Sequence, residues 1–197
     1  MNLKTTFIVM LLSSSAYASL FGPSVFVEPF LGYKSETIKL TDLTNNVTQI
    51  KTASPSFGLK LGYRSMVGVD LNLYGEMTSG SADISTLAEK SNFSHKTAGV
   101  QLGVNGLGLV KMYFGSSFLN DFTLEDSSLQ QGFTLSGPSY HAGVQFKLHP
   151  MASLGVQYTL NQFNTIKGAA YPSDEKLESY YSKNDTQDYT IYLSTTF

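Results

Sequence analysis

The feature that most constrains this chain is a one-for-one alternation of apolar and polar side chains, kept up over segments of about ten residues and recurring along its length. The clearest case is Asp188 to Phe197 (DYTIYLSTTF). Tyr189, Ile191, Leu193, Thr195 and Phe197 share one face, and Thr190, Tyr192, Ser194 and Thr196 the other. A strand is the regular element whose side chains repeat every second residue, so these segments predict β-structure throughout.

Seven further segments follow the same rule: Ser24 to Lys34, Phe57 to Arg64, Gly68 to Glu76, Lys96 to Asn105, Leu109 to Leu119, Ser139 to Leu148 and Ala152 to Asn161. In each, Leu, Val, Phe or Tyr alternates with Gly, Gln, Ser or a charged residue. The connections alternate as well. Ser65 to Val67, Gly106 to Gly108 and His149 to Met151 are tight turns, whereas 35–56, 77–95, 120–138 and 163–187 are long and polar. Eight strands with short turns at one end and long loops at the other predict an all-β, eight-stranded antiparallel transmembrane β-barrel, the turns periplasmic and the loops extracellular.

A soluble barrel would show the same period with its apolar face turned inward. Three features favour the membrane. The polar face mixes charges with many glycines, which a solvated sheet face would not retain. Aromatics recur near strand ends on the apolar face (Phe57, Tyr63, Phe118, Tyr140, Phe146, Tyr189, Phe197), as interfacial girdles do. Closure into a barrel also satisfies every backbone polar group, which lipid demands of a sheet. The chain has no cysteine, so disulfide stapling is ruled out. Its net charge of −2 gives no reason to expect a nucleic-acid partner. Met1 to Ala18 reads as a cleaved export signal: Lys4, the apolar run Phe7 to Leu12, then the small-x-small site Ala16-Tyr17-Ala18. Residues 19–197 are then a single barrel domain.

The pattern from Ser24 to Phe197 resembles the small eight-stranded bacterial outer-membrane proteins of the OmpX, OmpW and opacity kinds and the barrel half of OmpA. The resemblance implies a bacterial outer-membrane location and contact with outer-membrane lipid and lipopolysaccharide. It implies a monomer, and delivery by the barrel assembly machinery, with Tyr189, Ile191, Leu193 and Phe197 of the last strand as the assembly signal.

Eight strands enclose an interior just wide enough for side chains, so the lumen is expected to be a polar core. Glu28, Lys60, Arg64, Asp70, Lys111 and Lys147 fall on the inward face and are expected to form an ionic network, with Asp70 a diagonal neighbour of Arg64 and inward glycines making room for the long chains. In the long connections and their flanks twelve acids, Glu36 and Asp188 among them, face six lysines, which predicts acidic extracellular loops. Tyr171, Tyr180 and Tyr181 in the last loop are candidate anchors for a host or surface ligand.

Catalysis and metal binding find no pattern. His95, His141 and His149 are the only histidines, Ser139 and His141 share a face without a third partner fixed by spacing, and no cofactor or metal motif is present. The reading is a non-enzymatic structural or surface-interaction barrel, with a narrow porin-like channel for ions or small solutes as the alternative.

Overall fold

The computed structural model describes residues 24–85, 90–106, 109–126 and 131–197. Met1 to Ala18, read above as the export signal, lies outside the described residues. Alternation at this length yields long strands. In chain order they are β1 (Ser24–Asp42), β2 (Val47–Arg64), β3 (Val69–Ile84), β4 (Lys90–Gly106), β5 (Val110–Leu124), β6 (Phe133–Ser136), β7 (Ser139–His149), β8 (Ala152–Asn161), β9 (Thr165–Gly168), β10 (Tyr171–Lys176) and β11 (Tyr181–Thr195). A single 3₁₀ turn, Leu177–Ser179, is the only helical segment among the described residues.

Eight of the strands close a barrel in the order β1-β2-β3-β4-β5-β7-β8-β11 and back to β1, every neighbouring pair antiparallel. The closing seam runs from Thr41 and Lys183 near one end down to Phe30 and Ser194. It continues to Val27 and Phe197, whose backbones exchange hydrogen bonds of 3.0 and 2.9 Å. Phe197 thus occupies a ladder position against β1.

Much of what reads as long loop in sequence is strand. β1 and β2 pair without interruption to Thr41 and Val47, so only a tight turn separates them. β1 has 19 residues, which span roughly 60 Å and, at the tilt of membrane strands, a height of roughly 45 Å against an apolar band of about 25 Å. The wall therefore stands well clear of the lipid on the extracellular side. There β5 changes partner: Val110 to Ser117 pair with β7, while Asp121 to Leu124 pair with β6, which in turn pairs with β9 and β9 with β10. A bulge opposite Ala98 and Gly99 marks the change and leaves Phe118 and Leu119 both pointing outward. The extra residue reverses the facing of everything beyond it, so that Asn120, Phe122 and Leu124 turn inward.

The two halves of the wall carry opposite patterns. In the lower half Val25, Leu31, Leu59, Leu61, Leu71, Leu73, Ile191 and Leu193 are exposed on the outside, and Tyr33, Phe57, Tyr63, Tyr140 and Tyr189 lie outside with them. In the upper half the outward residues are polar, such as Thr37, Lys39, Lys51 and Asn92. The apolar ones there turn inward, and Ile38, Leu40, Ile50, Ile84, Phe93, Phe122, Leu124, Phe133, Leu135, Phe163, Ile166 and Leu177 form one buried cluster. Water surrounds the upper wall and lipid the lower, so the same period of two serves opposite solvents.

Candidate functional site

The lumen is built in layers by residues of inward parity, and each layer has its own chemistry. At the periplasmic end Arg64 and Asp70 are direct cross-strand partners, a register two residues along β3 from the one that would make them diagonal neighbours. Arg64 donates to Asp70 through Nε at 2.7 Å and Nη2 at 3.0 Å, a bidentate pairing that fixes both side chains. Lys111 lies 3.0 Å from Asp70 Oδ2, the oxygen that Arg64 Nη2 also contacts, and 3.8 Å from Glu28. Glu28 also accepts from Lys60 at 3.2 Å and from the Gln145 amide at 3.0 Å. Five of the six charges assigned to the lumen from sequence are therefore in mutual contact. Lys147 is not among them: it sits on inward parity at the exposed rim and makes no ion pair among the described residues.

Above this layer lies an aromatic one. Lys60 Nζ sits 4.5 Å from the Tyr192 ring centre, 5.0 Å from Tyr113 and 5.3 Å from Phe30, and it donates to the Tyr192 hydroxyl at 3.1 Å. The Tyr192 hydroxyl donates in turn to Tyr113 at 2.8 Å. Each of these rings faces a glycine directly across a strand pair: Phe30 with Gly58, Tyr113 with Gly143, Tyr192 with Gly155, and likewise Phe26 with Gly62. Space left by the inward glycines is taken chiefly by aromatic rings rather than by the long charged chains.

A second ionic layer, absent from the sequence-based expectation, follows. Lys34 pairs with Asp188 at 3.2 Å, and His95 bridges Glu36 at 3.0 Å and Asn120 at 2.7 Å. The Asn161 amide donates to both Glu36 and Asp188 at 3.1 Å. Glu36 and His95, assigned to loops from sequence, and Asp188, assigned to a loop flank at the start of the last strand, are thus buried in the barrel. The signal was present: Lys34, Glu36, Ile38 and Leu40 continue the inward parity of Glu28, but the change from apolar-outside to polar-outside reads as the start of a loop. Moving Glu36 and Asp188 indoors also narrows the acid excess of the extracellular surface.

The apolar cluster caps the stack. Phe93 and Phe122 stack at 5.6 Å, and the His95 ring meets Phe122 edge-on at 5.8 Å, so the ionic and apolar layers touch through these rings. The loop tyrosines belong to this cap. Tyr171, Tyr180 and Tyr181 are partly buried against the cluster, Tyr171 and Tyr180 in an edge contact at 4.7 Å, and the Tyr180 hydroxyl donates to Glu175. Ser139 and His141 do not engage each other: Ser139 bonds Ser117 at 2.6 Å, and His141 Nδ1 lies 3.3 Å from the Tyr74 hydroxyl. No cluster of three or more metal-ligating side chains occurs among the described residues.

No family model and no curated protein matches the sequence. Solved structures do match in shape. Ail, the attachment invasion locus protein of Yersinia pestis, superposes with a TM-score of 0.60 over 90% of this chain and 100% of its own, at 14% identity. The chain has the fold of the small eight-stranded outer-membrane barrels. Neisserial surface protein A matches at TM-score 0.50 and 15% identity over 89% of this chain and 99% of its own. The outer membrane protein AlkL matches at 0.50 and 11% identity over 92% and 94%. At such identities the likeness extends to the outer-membrane barrel fold, and the lumen and the cap are argued from this chain's own residues.

Proposed function

We propose that this chain, exported by way of Met1 to Ala18, is a closed, non-enzymatic barrel of the bacterial outer membrane. Its role is to hold a rigid, water-exposed wall above the lipid for structural or surface-interaction purposes. The observation that supports this best is the layering of the lumen. A path along the axis meets, in turn, the Arg64–Asp70–Lys111–Glu28–Lys60 cluster, the aromatic layer, the Lys34–Asp188 and Glu36–His95 layer, and an apolar cap in which Phe93, Phe122 and Phe163 are almost wholly buried. Ions would have to displace paired charges and then cross an apolar plug, each step a large desolvation barrier.

The upper wall supplies the interaction surface. Its outward face is polar, and it is stiffened by the β6-β9-β10 extension rather than left as free loop. Ail is seen in complex with sucrose octasulfate, a heparin analogue, which makes a ligand taken from the cell exterior the first class to try here. Planar-bilayer recording of the refolded protein decides between this reading and the narrow channel. A quiet bilayer is expected, and stepwise currents that depend on the solute present would establish the channel instead.

A further inference from the structure

The periplasmic mouth holds a cavity of about 220 Å³, lined by Glu28, Arg64, Lys111, Gln145, Lys147 and Asn105 among others. Its charges do not balance. Lys60, Arg64, Lys111 and Lys147 converge on this end of the lumen, whereas Glu28 and Asp70 are the acids that answer them. Lys60 is satisfied inside its ring cage, but the other three cations keep capacity on the cavity side. Arg64 spends Nε and Nη2 on Asp70, Nη1 makes no hydrogen bond among the described residues, and its side chain is 30% exposed. Lys111 is nearly buried, lies on two carboxylates as a charge, and forms no hydrogen bond of good geometry. Lys147 makes no ion pair among the described residues.

Register places these groups together. Lys111 is the cross-strand partner of Asn105 on one side and Gln145 on the other, and Lys147 is the next inward position beyond Gln145. Arg64 enters the same cavity from β2 with Asp70 behind it. Cations from three strands therefore border a space several times the volume of one water molecule, open toward the periplasm. A group that supplies two or more acceptor oxygens and negative charge is what such a wall lacks.

We propose that this vestibule is a binding site for a phosphate-type oxyanion taken from the periplasmic side, with Arg64, Lys111 and Lys147 as its ligands. The anion comes either as free phosphate or as a phosphomonoester, and both offer the same oxygens. Lys147 is the residue to change, because it is exposed and unpaired and its loss leaves the ion pairs beneath it intact.

The test uses the full barrel refolded in detergent or nanodiscs, titrated with inorganic phosphate and separately with glycerol 3-phosphate at constant ionic strength, binding being read by calorimetry and by the shift in thermal unfolding. Saturable binding is expected, weakened about tenfold or more by Lys147→Gln and unchanged by Lys39→Gln on the outer wall. Tighter binding of the ester would assign the site to a phosphomonoester, and tighter binding of phosphate to the free ion. Absence of saturation with both probes, an equal response to chloride, or equal affinity in Lys147→Gln would each overturn the proposal. A folded Lys147→Gln barrel, shown by its heat-modifiable gel mobility, makes the comparison valid.

Discussion

Gly58 and Gly75 sit on adjacent rungs of the β2–β3 ladder, Gly58 opposite Glu76 on the lumen side and Gly75 opposite Leu59 on the outer side, and they should respond oppositely to a methyl group. A side-chain carbon at Gly58 would overlap the Phe30 ring and the Gly75 carbonyl oxygen, whereas one at Gly75 meets nothing nearer than the Thr97 carbonyl at 3.9 Å. Gly58→Ala should therefore lower stability by about 1–3 kcal/mol in urea titration of the vesicle-inserted barrel, and Gly75→Ala should stay within about 0.5 kcal/mol of the parent. Glu28 ties three lumen side chains together, with Lys60, Lys111 and Gln145 all directed at it. Glu28→Ala should cost about 3–5 kcal/mol, because it leaves buried Lys60 without a carboxylate and Lys111 with Asp70 alone, rather than because the pairs themselves add much. A loss below 1 kcal/mol in the same titration would mean that the lower network is not the lumen's organising element.

At the scale of the strand, the β1–β2 turn and the apolar cap can each be tested alone. Asp42 closes the turn by accepting from the Thr44 backbone and hydroxyl and from the Asn46 backbone, each at 2.8 Å, with Asn45 in a left-handed conformation between them. Those bonds, the Thr44 hydroxyl foremost, hold its carboxyl below the ordinary aspartate value. A lowered value means the stabilisation is present above the unfolded-state pKa and is lost as pH falls through the folded one. Protection of the Thr44 and Asn46 amides against hydrogen exchange should drop in acid below that range, and Asp42→Ala should show the same loss at neutral pH. In the cap, Phe122→Ala should remove about 3–5 kcal/mol from the upper wall. Protease nicking near β6, β9 and β10, with the membrane strands still heat-modifiable, would report it.

These same elements show what could be read in the sequence. All eight membrane-crossing segments were legible, as was the identity of five lumen charges, because one solvent on each face keeps the alternation in phase. The upper wall was not. Ile38-Lys39-Leu40, Phe122-Thr123-Leu124 and Phe133-Thr134-Leu135 alternate just as well, but with the apolar set on the opposite side, and across the bulge near Phe118 the count slips by one. A search for strands with apolar residues outward must read that as loop. The second ionic layer was lost for the same reason, since Glu36 and Asp188 lie where the two patterns meet. Pairing of β9 with β6 rather than with β11 could not be deduced, since it depends on where β5 exchanges partners.

For the molecule as a whole, closure and capping make one joint expectation. The folded barrel should migrate faster than its boiled form on a gel and fractionate with membranes, and recovery of a detergent-free monomer would contradict the outward apolar band. Proteoliposomes should remain impermeable to small solutes. Phe122→Ala would test whether the cap is part of the seal, since removing one buried ring opens the top but leaves both ionic layers in place. Permeability should stay at background in that variant, because the two charged layers beneath are each sufficient barriers.

The switch from apolar-outside to apolar-inside also acts as a waterline. Sliding the barrel outward would lift Tyr33 and Tyr189 toward water, and sliding it inward would carry Ser35 and Gln187, the next outward residues of the same two strands, toward oil. Both displacements are opposed, so the molecule floats at one draught. Whatever meets its upper rim will always meet it at the same height above the lipid.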